Sequence, residues 1–184
     1  PIEWLTYLAN VKLAIQEDRS LTLSEQEQLN IENSGTLDNL HGNINVTATG
    51  DGNLLEINDH FTGAARALVL EDDKVSYNGG DSINYTDIDF LNIFTGSGDD
   101  QIDVVSTNAT TDTFILSDSG DDTFNVGDGD LSKIAGFLRL DANAGYNLQS
   151  IDDYTAVDLS STQVGNTWTE TGYDTINLDN SGVQ

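Results

Sequence analysis

From Ile44 onward the apolar residues of this chain come in short alternating bursts: Ile44-x-Val46, Leu55-x-Ile57, Leu68-x-Leu70, Val75-x-Tyr77, Ile83-x-Tyr85 and Leu91-x-Ile93. The series continues through Ile102-x-Val104, Phe114-x-Leu116, Phe124-x-Val126, Leu138-x-Leu140, Val157-x-Leu159 and Ile176-x-Leu178. Alternation with period two puts every second side chain on one side of an extended backbone. Each burst therefore predicts a strand with one buried face. Gly, Asn, Asp, Ser and Thr fill the intervals, and these are the residues that make turns.

The turns repeat. Gly98-Asp99-Asp100-Gln101-Ile102-Asp103-Val104 returns 22 residues later as Gly120-Asp121-Asp122-Thr123-Phe124-Asn125-Val126. Weaker copies stand at Gly145-Tyr146-Asn147 and at Gly172-Tyr173-Asp174-Thr175-Ile176-Asn177-Leu178. Short strands at this spacing fit either an antiparallel β-sandwich or a parallel β-solenoid with coils of about 22 residues. The solenoid is preferred, because equivalent turns lie above one another in it and a sandwich has no need of a recurring turn. Ile102 and Val104 are then expected over Phe124 and Val126 on one inner face. A longer echo relates Thr86–Ile93 to Thr171–Leu178 across 85 residues, close to four such coils.

The first forty residues break the pattern. Trp4, Leu5, Leu8, Val11 and Ile15 fall near one helical face, with Pro1 suited to a first turn, while Val11, Leu13 and Ile15 fit a strand equally well. Ser24-x-x-Glu27 matches a capping box. Residues 1–40 are read as a cap or assembly segment over the open end of a repeat region spanning 41–184. The start at Pro1 suggests a processed chain, and the stop at Gln184, where another coil would begin, suggests a segment of a longer array.

Charge narrows the partners. The formal net charge is −26, from 32 acidic against 6 basic residues, and the bases are scattered singly as Lys12, Arg19, Arg66, Lys74, Lys133 and Arg139. Phosphate recognition needs clustered bases, so nucleic acid is not an expected partner. The chain has no Cys, which removes disulfides and thiolate metal sites. No apolar run approaches the roughly 20 residues of a membrane span.

Gly96-Ser97-Gly98-Asp99-Asp100-Gln101-Ile102-Asp103 resembles the nonapeptide G-G-x-G-x-D-x-U-x of haemolysin-type (RTX) calcium-binding repeats, with Thr95 in place of the first Gly. Ser117–Asn125 keeps the later Gly, the Asp and the apolar position. The wider pattern from about Asn43 to Gly182, with Tyr85-Thr86-Asp87 and Val126-Gly127-Asp128, is more similar to the degenerate β-strand repeats of very large secreted bacterial surface proteins. That resemblance implies export, a cell-surface or matrix location, a capacity to bind calcium and no enzyme activity.

Calcium takes six to eight oxygen ligands. With stacked coils, Asp100 and Asp122 fall on adjacent rungs about 4.8 Å apart, a separation at which two carboxylates repel unless a cation lies between them. They are the candidate metal residues, and Asp99 and Asp121 are expected to point the other way. The competing reading is that these Asp residues only accept hydrogen bonds from nearby backbone N–H groups, and Asn147 in the third copy weakens the calcium case. Asp141-x-Asn143-x-Gly145 with Asp152 echoes an EF-hand loop but carries Tyr146 where that loop needs Gly. His41 and His60 have no Ser or Cys motif beside them, and Trp4 and Trp168 are unpaired in sequence. The expectation is an extracellular structural or adhesive repeat protein that self-associates end to end into a filament or surface layer. The alternative is a calcium-dependent module that binds a surface polysaccharide.

Overall fold

A computed structural model describes residues 6–12, 19–24, 26–32, 35–38, 42–78, 80–153, 162–164, 167–169 and 176–179. The strands are β1 (Thr6–Lys12), β2 (Arg19–Leu23), β3 (Glu27–Glu32), β4 (Ile44–Ala48), β5 (Leu54–Asn58) and β6 (Ala67–Glu71). They continue as β7 (Lys74–Tyr77), β8 (Asp81–Thr86), β9 (Phe90–Phe94), β10 (Gln101–Val104), β11 (Asp112–Leu116) and β12 (Thr123–Gly129). The last are β13 (Leu138–Asp141), β14 (Leu148–Asp153), β15 (Thr162–Val164), β16 (Thr167–Thr169) and β17 (Ile176–Asp179). The described residues contain no α-helix, only a single 3-10 turn at Leu131–Lys133. The chain is all-β.

Two sheets take up the strands. One runs β1-β3-β5-β9-β11-β13-β17-β16-β15, the other β14-β12-β10-β6-β7-β8-β4-β2. Eleven of the fifteen pairings among described residues are parallel. The antiparallel ones are β6 with β7, β7 with β8, β15 with β16 and β16 with β17. This pairing sets the antiparallel sandwich aside and leaves mixed sheets dominated by parallel neighbours.

Register follows the expectation where the turns are most alike. Ile102 pairs with Phe124 and Val104 with Val126, while Leu68 and Leu70 flank the same two residues on the other side. All of these are buried in a single core cluster that also takes in Leu55, Ile57, Leu91, Ile93 and Ile115 from the other sheet. The sequence spacing between paired strands is less uniform than the expected 22 residues. Leu91 pairs with Thr113, 22 residues on, but Thr113 pairs with Leu138, and Leu138 pairs with Ile176. The echo from Leu91 to Ile176 therefore spans three sheet steps rather than four coils. The third step is long because the antiparallel β15 and β16 lie within it.

A second insertion changes the interior. β5 and β9 are direct neighbours in one sheet, yet over the same stretch the other sheet places β8 and β7 between β4 and β6. Two extra strands add about 10 Å along the hydrogen-bonding direction. Tyr77 of β7 and Tyr85 of β8 lie buried there. Tyr85 Oη donates to the Glu71 carbonyl at 2.8 Å.

Two local readings need correction. The burst Phe114-x-Leu116 implies inward-facing Phe114, but on β11 the buried residues are Thr113 and Ile115, and Phe114 and Leu116 face outward. Pairing of β11 with β9 aligns Thr113 and Ile115 with the inward Leu91 and Ile93. Near the N-terminus, where the pattern fits helix and strand alike, Thr6–Lys12 is a strand. The described parts of residues 1–40 join the same two sheets, β1 pairing with β3 and β2 with β4. Glu27 does reach back to the Ser24 N–H, but it closes a turn into β3. His41, Trp4 and the side chain of Trp168 lie outside the described residues.

Candidate functional site: two hydrogen-bonded aspartate ladders

The recurring turn forms a column. Gly98 packs on Ala64, Gly120 on Gly98 and Gly145 on Gly120. A Cβ added at Gly120 would lie 2.2 Å from the Gly98 carbonyl oxygen, and one added at Gly145 would lie 1.7 Å from that of Gly120. Gly120 and Gly145 also have φ of 133° and 127°. Close backbone approach and left-handed φ are two reasons why only Gly suits these positions. The contact in turn holds the following Asp residues in register.

Those Asp residues build two ladders of opposite direction. In the inner one the Arg66 N–H donates to Asp100 Oδ1 at 2.8 Å. The Asp100 N–H donates to Asp122 Oδ1, and the Asp122 N–H to Asn147 Oδ1, both at 2.9 Å. Each side chain thus reaches one rung toward the N-terminus. In the outer ladder the Asp121 N–H donates to Asp99 Oδ1, and the Tyr146 N–H to Asp121 Oδ1, both at 2.9 Å. These carboxylates reach toward the C-terminus, so Asp99 and Asp121 do point away from Asp100 and Asp122.

Asp100 and Asp122 are buried. Burial raises the Asp122 pKa against the Ser117 hydroxyl and the Asp100 N–H, which favour the carboxylate. Burial likewise lifts Asp100 from 3.8 to about 6; the Thr95 hydroxyl and the Arg66 N–H oppose the rise, and the charges of Asp122 and Asp59 add to it. Ser117 Oγ donates to Asp122 Oδ2 at 2.6 Å. Thr95 stands 22 residues before Ser117, at the equivalent position beside Asp100. Thr95 Oγ1 and Asp100 Oδ2 are buried with no hydrogen-bond partner in the structure.

A calcium ion between Asp100 and Asp122 would compete with donors already in place. Three of the four carboxylate oxygens already accept from an N–H or O–H group. A cation would have to displace those donors and find further oxygens beside them. Asn147 fills the third position without a charge, so the ladder requires an acceptor oxygen and not a carboxylate. No group of three or more His, Cys, Asp or Glu side chains arranged to hold a metal occurs among the described residues. The EF-hand echo dissolves as well: Asp141 ends β13, Gly145 belongs to the turn column and Asp152 falls in β14.

A buried charge cluster beside the inner ladder carries no sequence signal, because Arg66 looks like one more isolated base. Its Nη2 donates to Asp38 Oδ1 at 2.5 Å, to Asp59 Oδ1 at 3.1 Å and to Thr62 Oγ1 at 3.1 Å. Its Nε bonds Asp59 Oδ2. Asp59 also accepts from the Leu37 N–H at 2.7 Å, which ties the crossing segment between β5 and β6 to the preceding rung. Burial raises the Asp59 pKa while Arg66 holds it down. Burial works to lower the Arg66 pKa, and its bonds to Asp59 and Asp38 outweigh that. His60 stands apart, its Nδ1 3.7 Å from Asp118 Oδ2 and its ring edge-on to Phe61.

Chemically, both ladders join successive turns through a backbone N–H and a side-chain oxygen. No family model matches this chain, and no curated protein and no solved structure matches it.

Proposed function

We propose that this chain is a stretch of parallel β-solenoid that serves as an extracellular structural or adhesive repeat of a bacterial surface protein, working mechanically and not as an enzyme. The observation that carries the reading is the turn column at Gly98, Gly120 and Gly145 with its two ladders. Each turn is joined to the next by the same backbone contact and the same N–H to side-chain oxygen bond, which is the repeating connection that an array needs. End-to-end association follows the same logic. Among the described residues β14 is the outermost strand of its sheet, and its Leu148 and the preceding Tyr146 are 64% and 74% exposed. An unpaired edge with exposed apolar side chains is a template for another chain.

Sedimentation velocity across a concentration series, with negative-stain imaging of the heaviest species, tests this. Linear particles that lengthen with concentration, and that shorten in Tyr146→Lys or Leu148→Lys, are expected. A wild-type chain that stays monomeric at every concentration would refute the self-assembly.

A further inference from the structure

We propose that the outer face of β9, β11 and β13 is a stacking platform for a neutral polysaccharide. Phe90, Asn92 and Phe94 of β9 face outward, as do Asp112, Phe114 and Leu116 of β11. Phe90 is 45% exposed. The ring of Phe94 meets that of Phe114 edge-on with centroids 6.4 Å apart, and the Arg139 guanidinium of β13 lies 5.2 Å over the Phe114 ring. The register sets Asn92 directly opposite Phe114 and opposite Glu56 of β5 on its other side.

Asn92 thus sits among three phenyl rings. Phe90 and Phe94 neighbour it along the strand, Phe114 across the sheet. Its side-chain amide takes part in none of the hydrogen bonds of this face, where Glu56 accepts from Asn30 and Asn58. Apolar rings around an open amide suit a sugar ring, whose C–H face stacks on an aromatic while its hydroxyls satisfy donor and acceptor at once. The same amide argues against a dry contact with a second copy, which would bury it without a partner. Charge excludes an acidic glycan: the chain carries −26, and Asp112 and Glu56 border the platform. The platform involves neither the turn column nor the exposed Tyr146, so it stands or falls apart from self-assembly.

Affinity electrophoresis of the whole chain in gels containing soluble hydroxyethylcellulose, with polygalacturonate as the acidic counterpart, tests the proposal. Retardation by the neutral glucan alone is expected, lost in Phe90→Ala and in Asn92→Ala and retained in Tyr146→Ala. Phe90 and Asn92 lie on the outer face, so neither substitution removes a core side chain. No retardation in either gel, retardation by polygalacturonate instead, or retardation indifferent to Phe90→Ala and Asn92→Ala would overturn it. So would a change in oligomeric state of the Phe90→Ala chain without glycan, since that assigns the face to a second copy.

Discussion

The backbone N–H of Asp100 donates to Oδ1 of Asp122 at 2.9 Å across one rung of the eight-stranded sheet. Both residues are buried. The side chain that looks like half of a metal site is the clip that holds a turn to the one before it.

Acceptor and charge can be separated at this position. Asp122→Asn keeps an oxygen for the Asp100 N–H, as Asn147 does for Asp122, and is expected to leave stability unchanged or raised. Asp122→Ala strands a buried N–H and is expected to cost about 1–3 kcal/mol. Urea denaturation of the two variants makes the comparison. Equal losses would show that the charge itself matters.

The chain is expected to gain stability on mild acidification. Burial is the main reason that the Asp100 pKa rises from 3.8 to about 6, and burial also raises Asp122 and Asp59. A folded-state pKa above the unfolded one contributes stability that is full below about 3.8 and is lost as pH climbs through about 6. For Asp100 the swing is on the order of 2–3 kcal/mol. Relief of self-repulsion in so acidic a chain acts in the same direction. Urea midpoints followed from about pH 7.5 to about pH 5 should rise, and less steeply in Asp100→Asn. Midpoints that fall over that window would contradict the assignment.

Calcium is expected to have no effect through the inner ladder. Screening of the net charge stabilises equally with calcium and with magnesium at matched ionic strength. A calcium-specific rise in melting temperature, removed by both Asp100→Asn and Asp122→Asn, would show that a cation displaces the N–H donors.

Phe124 has no exposed surface and is the largest of the fully buried side chains. Phe124→Ala is expected to cost about 3–5 kcal/mol. Thermal unfolding at the wild-type temperature would place the ring outside the core.

The two buried tyrosines of β7 and β8 are expected to differ. Tyr85→Phe removes the hydrogen bond to the Glu71 carbonyl and is expected to cost about 1 kcal/mol. Tyr77 Oη is buried without a hydrogen-bond partner in the structure, so Tyr77→Phe is expected to be neutral or stabilising. Chemical denaturation of both variants decides it. A larger loss in Tyr77→Phe than in Tyr85→Phe would mean that the Tyr77 hydroxyl is bound after all.

What is local in this fold was legible in the sequence. Period-two bursts mark β4 through β13, and the returning Gly-Asp-Asp turn places Ile102 and Val104 beside Phe124 and Val126. A turn and an alternation each depend on a few consecutive residues, whatever the rest of the chain does. Three features depend on which strand the chain meets, and only the tertiary structure decided them. Thr113-Phe114-Ile115-Leu116 has bulky apolar groups on both faces, so pairing with β9 and not the pattern turned Phe114 outward. The bursts of β7 and β8 read like any others, and only their antiparallel pairing reveals them as an insertion between β4 and β6. Arg66 and Asp59 come together because the segment between β5 and β6 folds over the preceding rung. The aspartates combined both kinds of information: their spacing revealed the stacking, and the direction of each side chain showed that it holds a backbone N–H.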